Sequence, residues 1–419
     1  MKKTVSILRS TNVPLSKNYP LFRFIGGNVI SFMGDQIYMI ALPLMVLSVT
    51  GSPISMGIVS ALERLPVLAQ PLIGILSDRF SRKRLLLIGD GGRFLLTGWI
   101  GFISLYGNLH VWQLYIAAFG IGLLSQVYNT SQFATVPSLV SKQHLQLVNS
   151  INTGALQTAT LSAPAIGGLI ISLYHPGIAL LVNSFSFFIA FAAVASIQLP
   201  SNQPQESRKT TILQDLKEGF HFVLTTKAIL FTNLAMLFST FGTTLLLTLL
   251  VFHLKDTIHL SSYQIGWLLS GGGAGAIAGA LFSGILTTFF RYRSLLFSAA
   301  FTGGLSVIVL SQMQSFFLLL AANMAGTFMV AILNPCLATI RQTLTPFRLL
   351  GRVQATSRFM AWILLPVAAL SAGLLADLTS TGTTLFIGGT VSTLASFFYL
   401  HPSLSSKAVQ IKDRKRQAQ

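Results

Sequence analysis

Charge and cysteine are both scarce in this chain, and each shortage excludes a class of protein. Charged residues make up 9% of the 419 residues, whereas hydrophobic residues make up 52%, and the mean hydropathy is +0.69. A soluble domain carries about 25% charged residues, so we expect an all-α polytopic membrane protein instead. The single cysteine, Cys336, cannot form an intramolecular disulfide, and its apolar segment indicates a small packing residue.

Acidic residues are much scarcer than basic ones, with 10 Asp and Glu against 28 Lys and Arg and a net charge of +18. The basic residues do not form one patch, so no nucleic-acid partner is expected. They fall in short clusters between apolar runs, in alternate loops, and the opposite loops contain only Lys255. Because basic residues are enriched in cytoplasmic loops, we expect a multi-pass protein of the cell (inner or plasma) membrane with both termini in the cytoplasm.

Twelve apolar segments are each long enough to cross a bilayer, which takes about 20 residues. An even number of segments agrees with two cytoplasmic termini. The predicted segments are 21–47, 53–77, 84–106, 111–136, 148–173, 177–199, 228–253, 262–288, 293–312, 315–340, 352–376 and 381–400.

The chain also repeats itself, which indicates two six-helix halves in the same orientation. Residues 74–76 and 284–286 both read Gly-Ile-Leu, and the fifth and eleventh segments each have a central proline, Pro164 and Pro366. The amphipathic helix predicted in the linker between the halves is interpreted as a surface strut. The predicted domains are an N-terminal cytoplasmic segment 1–20, a first half 21–199, a cytoplasmic linker 200–227, a second half 228–400 and a basic tail 401–419.

Five charged residues inside the predicted segments are singled out here, because a charge there costs about 2.5–3.5 kcal/mol on insertion scales. They are Asp35 in the first segment, Glu63 and Arg64 in the second, and Asp90 and Arg93 in the third. Counting residues from the outer ends places Asp35 and Arg64 at a similar depth, so an ion pair between adjacent helices is geometrically possible. Asp90 and Arg93 lie three residues apart on one helix face, which predicts a structural i,i+3 pair.

Two interpretations of Asp35 remain open. In the first, Asp35 or Glu63 binds a proton or a cationic substrate in one conformation and releases it in another, as Arg64 approaches and withdraws. In the second, Asp35 and Arg64 form a permanent pair that fixes helix packing. Neighbouring residues are about 100° apart around a helix, so Glu63 faces elsewhere if Arg64 faces Asp35.

A basic loop lies between the second and third segments, where residues 74–84 read Gly-Ile-Leu-Ser-Asp-Arg-Phe-Ser-Arg-Lys-Arg. Its acidic residue can meet the positive N-terminal end of a neighbouring helix. Its basic residues can bond to carbonyl ends and to lipid phosphates. A loop that only sets the topology is the alternative interpretation. The residues predicted to form a gating motif here are Gly74, Asp78, Arg79, Arg82, Lys83 and Arg84.

The chain resembles the major facilitator superfamily over nearly its whole length, and it is most similar to the branch that includes macrolide-efflux and siderophore-exporting proteins. The resemblance implies a twelve-helix secondary transporter that works by alternating access between its two halves. It is carried by residues 34–35, 64–66, 74–84, 90 with 93, 137–140, 351–353 and 373–377.

The resemblance also implies roles for particular residues. Asp78 would dock near Gly351 and Arg352, at the start of the eleventh segment. The fifth segment looks like the helix-5 motif of proton-coupled exporters, with alanine in the first place, which singles out Pro164, Gly167 and Gly168. The first, fourth, seventh and tenth segments would line the cavity. The polar residues there that are expected to contact substrate are Tyr38, Gln126, Asn129, Asn233, Thr240, Asn323, Thr327 and Asn334.

Two charges that the family often has are missing from the fourth segment: an acidic residue at its cytoplasmic end and the arginine common in drug antiporters. Asp35 or Glu63 is therefore the better candidate for a proton site. Because the predicted cavity is apolar, rich in amides and poor in acids, it suits a lipophilic neutral or cationic molecule.

The sequence therefore predicts a proton-coupled exporter (antiporter) of lipophilic small molecules such as macrolide-type drugs or siderophores. Its expected partners are this substrate, protons and the lipid bilayer, and we expect a monomer with no cofactor and no metal. A lipid or lysolipid translocase of the same fold, a membrane-embedded enzyme and a non-transporting sensor are the alternatives. The seven histidines are dispersed without ligand spacing and no Walker motif occurs, which disfavours an enzyme and direct use of ATP.

Overall fold

The computed structural model describes residues 18–70, 73, 80–107, 109–140, 144–199, 212–346 and 349–405. In these ranges eleven helices are long and apolar enough to cross a membrane. The remaining predicted segment, 53–77, begins as a helix over Pro53–Arg64 and a 3₁₀ turn over Leu65–Ala69, and then reaches positions outside the described residues. The predicted all-α, multi-span class is confirmed.

The first six helices overlap the first six predicted segments in order, and the second of these helices covers only the beginning of its segment. The helix ends follow from local chemistry: Asn18 accepts a hydrogen bond from the amide of Leu21 at the start of the first helix, and Gly51 ends that helix with a φ of 59°. These helices are α1 (Tyr19–Thr50), α2 (Pro53–Arg64), α3 (Arg82–Leu105), α4 (Val111–Leu139), α5 (Leu145–Leu173) and α6 (Pro176–Ser196).

The second part of the chain begins with a short helix in the predicted linker and continues with the other spans. The predicted segment 352–376 forms two helices that break just before Pro366, because proline lacks an N–H and clashes with the preceding turn. These helices are α7 (Ile212–Thr225), α8 (Lys227–Phe252, continued by a π turn over His253–Thr257), α9 (Ser262–Phe289), α10 (Tyr292–Gln312), α11 (Phe316–Leu344), α12 (Leu350–Trp362), α13 (Leu365–Leu378) and α14 (Thr381–Ala395, continued by a 3₁₀ turn over Ser396–Leu400).

The helices form two compact units with the same packing pattern. One unit consists mainly of α1 and α3 to α6, with residues 261–270 from the beginning of α9; the other consists of α7 to α14, with residues 56–61 of α2. In the first unit α1 packs on α5 and α6, and α3 packs on α4 and α6. In the second unit α8 packs on α12, α13 and α14, and α10 packs on α11 and α14. The internal repeat seen in the sequence thus corresponds to one packing pattern that occurs in both units.

Each unit has its own apolar core. In the first, Leu21 and Phe24 of α1 meet Leu86 of α3 and Val194 of α6. In the second, Cys336 of α11 is 1% exposed and packs with residues of α8, α10 and the last helical turn. A buried thiol in an apolar core agrees with the packing role expected for this cysteine.

Candidate functional site

Arg93 of α3 is the centre of a buried charged cluster in the first unit. Its Nη2 donates a hydrogen bond to Oδ1 of Asp90 over 2.6 Å, and its Nε donates to the carbonyl oxygen of Gly89 over 3.2 Å. Asp90 is 0% exposed and Arg93 is 2% exposed. The predicted i,i+3 pair is therefore present, and its complete burial shows that each charge depends on the other.

Two aromatic rings on other helices pack against the guanidinium group of Arg93. Its Cζ lies 4.4 Å from the ring centroid of Tyr128 on α4 and 4.2 Å from that of Phe187 on α6. The hydroxyl group of Tyr128 donates to Oδ1 of Asn28 on α1 over 3.3 Å. The cluster thus joins four helices, and the cation–π contacts limit the movement of Arg93. Sequence reasoning missed both rings, because a single aromatic residue in an apolar helix carries no distinguishing signal.

Asp35 of α1 faces this cluster and is its accessible member. Its Oδ2 lies 3.8 Å from Nη1 of Arg93, and its side chain is 40% exposed, whereas that of Arg93 is 3% exposed. The arginine that the structure places beside Asp35 is Arg93, and a pairing of Asp35 with Arg64 stays a prediction. Depth along a helix can be counted from the sequence, but the direction in which a side chain leaves the helix decides which neighbour it meets.

A close approach of α1 and α6 fixes the position of Asp35. A side chain at Gly34 would collide with the hydroxyl of Ser186 and the amide oxygen of Asn183, so only glycine allows this contact. Ser186 in turn donates to the carbonyl oxygen of Asn183 over 2.7 Å. The residue before Asp35 is therefore anchored to α6, and the carboxylate is held toward Arg93.

Several buried polar atoms near this cluster have no hydrogen-bond partner among the described residues. They are the hydroxyl of Tyr38, Oδ2 of Asp90 and Nδ2 of Asn183. Buried polar groups are almost always bonded to protein, water or ligand, so these atoms can form hydrogen bonds with a water or with a polar group of a substrate. Within the described part of the chain, no group of three or more His, Cys, Asp or Glu side chains is placed to hold a metal ion.

Glu63 and Arg64 lie at the end of α2 and are both half-buried. The α-helix changes there to a 3₁₀ turn that contains Pro66, which lacks an N–H for the α-helical pattern. The backbone of Glu63 touches α4 at Gly122, where a side chain would collide with the carbonyl oxygen of Glu63. The role of Glu63 in proton coupling stays a prediction.

The basic loop is described only in part, because Gly74, Asp78 and Arg79 lie outside the described residues. Nζ of Lys83 donates to the carbonyl oxygens of Ala195 and Ile197 over 2.8 and 2.6 Å, at the C-terminal end of α6. This contact confirms that a basic side chain of the loop caps a carbonyl end.

The other residues of the predicted gating motif lie at helix starts. Arg82 and Arg84 lie in the first turn of α3, where the Ser81 hydroxyl accepts a hydrogen bond from the amide of Arg84 over 3.4 Å. Gly351 and Arg352 lie in the first turn of α12, and Arg352 forms an ion pair with Glu218 of α7. Docking of Asp78 near this pair stays a prediction.

The helix-5 motif forms the tight contacts expected of it. A side chain at Gly168 would lie 2.9 Å from Cα of Gly266 on α9, and one at Gly266 would lie 2.6 Å from the carbonyl oxygen of Pro164. Gly167 faces Ile37 of α1, with 3.2 Å from the position of a Cβ to Cα of Ile37. Small residues beside the proline therefore let α5 approach both α1 and the beginning of α9.

Some of the residues predicted to contact substrate are buried, and the others are exposed or half-buried. Asn233 is 0% exposed, and its Nδ2 donates to Oγ of Ser357 over 3.0 Å; Asn323 is also buried. Because a buried amide between helices serves interhelical bonding, Asn233 connects α8 and α12, and its contact with substrate stays a prediction. The others are exposed or half-buried, apart from the buried Tyr38: Gln126, Asn129, Thr240, Thr327 and Asn334.

Known proteins resemble this chain in both sequence and fold. An uncharacterized MFS-type transporter, YfiS of Bacillus subtilis, is 27% identical over 302 residues, which cover 67% of this chain and 68% of that protein. The enterobactin exporter EntS of Shigella dysenteriae is 25% identical over 353 residues and 82% of both chains.

Solved transporter structures share the fold at low sequence identity. A bacterial homologue of the iron transporter ferroportin matches with a TM-score of 0.72 and 16% identity, covering 93% of this chain and all of that one. The nucleoside transporter NupG matches with a TM-score of 0.71 and 12% identity, covering 91% and 99%. These are transporters rather than enzymes, and so is this chain. The family described as transmembrane secretion effectors matches residues 9–416, and the chain belongs to this family of the major facilitator superfamily.

Proposed function

We propose that this transporter is a proton-coupled exporter of lipophilic small molecules that works by alternating access. The observation that carries the proposal is the contrast between Asp35 and Arg93: an accessible carboxylate inside a membrane-spanning helix faces a buried, immobilised guanidinium group. Ionisable residues inside membrane spans commonly mark proton or ion pathways.

The geometry supports different roles for the two residues: a fixed positive charge for Arg93 and a change of protonation for Asp35. Arg93 is held by Asp90 and by two aromatic rings, so it stays in place while the protonation of Asp35 changes. A proton on Asp35 removes the negative charge and with it the attraction to Arg93, which lies 3.8 Å away. Conformations that differ in this distance therefore differ in proton affinity, which is the coupling that an antiporter requires.

The substrate class is inferred from the composition and the relatives. The chain has 31 phenylalanines, and the relatives include enterobactin exporters. We infer export of a lipophilic molecule, such as a siderophore or a macrolide-type drug, from the cytoplasm. Both termini would lie in the cytoplasm, and the chain would act as a monomer.

Dye efflux tests this proposal. Efflux-deficient cells that produce the chain are loaded with neutral Nile red or cationic rhodamine 6G, with and without a protonophore. The wild type should accumulate less dye, and both the protonophore and Asp35→Asn should abolish the difference. Asp377→Asn is the matched control, because Asp377 is exposed at the end of α13. Export that persists with the protonophore would contradict proton coupling, and no export of either dye would contradict the substrate class.

A further inference from the structure

A second charged cluster lies in the other unit, and it is basic. Arg341 of α11 is 7% exposed, and its Nη1 donates to Oε1 of Gln354 on α12 over 2.8 Å. Its Nη2 lies 3.7 Å from the sulfur of Met236 on α8. Neither partner is charged. Arg358 lies one turn beyond Gln354 on the same face of α12, so a second guanidinium group lies on the side of α12 that carries the partner of Arg341.

The guanidinium of Arg341 lies inside the membrane-spanning part of the unit. Arg341 is only three residues from the end of α11 at Leu344, but helical side chains lean toward the N-terminus of their own helix. Its contact with Met236 sets the depth, because Met236 lies nine residues, or about 14 Å, from the first residue of α8. A surface arginine would instead turn toward water or lipid headgroups.

No carboxylate of residues 212–346 and 349–405 contacts Arg341. Its hydrogen-bond partners there are the amide of Gln354 and the thioether of Met236, the buried Tyr399 lies nearby, and Glu218 forms an ion pair with Arg352. A buried charge without a partner is costly, and a second positive charge nearby raises that cost. The buried guanidinium of Arg341, kept at this expense beside a second arginine, has the chemistry of an oxyanion site.

The cluster is also open to a ligand. Gln354 is exposed and Arg358 is half-buried, and the two residues share one face of α12 because they are four positions apart. The amide oxygen of Gln354 occupies the place at Arg341 that an anionic oxygen would fill. Beside it, the guanidinium of Arg358 lies 4.8 Å from the ring centroid of Trp362, and Met236 adds apolar surface.

We propose that Arg341 and Arg358 bind the anionic group of an otherwise lipophilic molecule, a carboxylate or a phosphate, while Met236 and Trp362 contact its apolar part. As a statement about cargo this rests on the proposed function, and it adds lipophilic organic anions to the expected substrates. The sequence alone does not indicate that these two arginines share a site. Arg341 is followed by further basic residues and is therefore assigned to a basic cytoplasmic cluster until the direction of its side chain is known.

Trp362 provides the reporter for an equilibrium binding test. A variant that keeps Trp362 as its sole tryptophan (Trp99, Trp112 and Trp267→Phe) is purified in an uncharged maltoside detergent. Dodecanoate is titrated beside dodecanol and dodecyltrimethylammonium, which share its alkyl chain. Dodecanoate should change the fluorescence saturably, and the neutral and cationic analogues should bind at least about tenfold more weakly.

Substitutions locate the site. Arg341→Gln and Arg358→Gln should each weaken dodecanoate binding about tenfold or more, whereas Arg291→Gln, at an exposed residue of the same unit, should leave it unchanged. Because a replacement of buried Arg341 can unfold the protein, half-buried Arg358 keeps the test decisive. Equal binding of dodecanol and dodecanoate, or full dodecanoate affinity in the Arg358 variant, would overturn the proposal.

The source of the anion and the link to transport are tested separately. In nanodiscs, weaker dodecanoate binding in phosphatidylglycerol than in phosphatidylcholine supports a lipid phosphate as the ligand, and equal binding supports a dissolved anion. Both results uphold an oxyanion site. Anion binding without proton-driven export would overturn only the proposed function, and dye export without anion binding would overturn only this inference.

Discussion

Asp35 and Arg93 lie 3.8 Å apart, from Oδ2 to Nη1, although one side chain is 40% exposed and the other 3% exposed. The pair is thus asymmetric: the carboxylate of Asp35 is partly exposed, and Arg93 is held within the unit. The second acid, Asp90, bonds to the same guanidinium over 2.6 Å and is fully buried. Replacing Asp35 and replacing Asp90 should therefore change the stability of the folded protein by different amounts.

Arg93→Gln should lower the free energy of unfolding by about 3–5 kcal/mol, because it leaves Asp90 buried without its counter-charge. Asp35→Asn should cost no more than about 1 kcal/mol, because the Asp35 carboxylate is partly exposed and its contact with Arg93 is long. Chemical or thermal unfolding of purified variants measures both values. Asp90→Asn combined with Arg93→Gln should recover part of the loss, and an Asp35→Asn variant as unstable as Arg93→Gln would contradict this view of the site.

The contacts of Arg93 illustrate what the sequence can predict about the site. The i,i+3 spacing of Asp90 and Arg93 predicts their pair because the geometry of one helix fixes it. The contacts with Asp35, Tyr128 and Phe187 depend on how four helices pack, and no spacing within one helix encodes that. Length and hydropathy likewise predict the spans, but the break between α12 and α13 becomes evident only in the structure.

Glycine contacts yield a second prediction with internal controls. Gly168→Ala and Gly266→Ala should each lower stability by about 1–3 kcal/mol, because the added methyl groups collide with the facing backbone. Gly154→Ala in α5 and Gly284→Ala in α9 meet no atom within 4 Å, so they should be neutral or stabilising by up to about 1 kcal/mol. Thermal unfolding midpoints in detergent measure the four effects. Equal shifts in all four variants would show that helix propensity, rather than close packing, decides them.

The linker helix α7 is predicted to be docked on its unit and not to move freely. Its Gly219 lies against α12, its Phe220 ring lies 6.3 Å from that of Phe359, and Val223 is 0% exposed beside Ile229 and Val353. In a Cys336→Ala background, Val223→Cys should therefore react with maleimide at least about tenfold more slowly than its neighbour Leu224→Cys, whose position is 55% exposed.

Loosening the helix provides the control for that measurement. Gly219→Val adds a branched side chain where a single Cβ already lies 3.0 Å from the carbonyl oxygen of Arg352. It should speed the labelling of Val223→Cys and leave that of Leu224→Cys unchanged. Rapid labelling of Val223→Cys before this change would show that the helix is not docked in solution.

The distribution of basic residues predicts on which side of the membrane each loop lies. Tyr106 follows α3 in a connection to α4 that has no Lys or Arg, whereas Phe290 follows α9 directly before Arg291 and Arg293. Both positions are exposed, at 68% and 55%. Because basic loops stay in the cytoplasm, an impermeant maleimide should label Tyr106→Cys in intact cells and Phe290→Cys only after permeabilisation. The reverse pattern would place both termini outside the cell and contradict the proposed orientation of the chain.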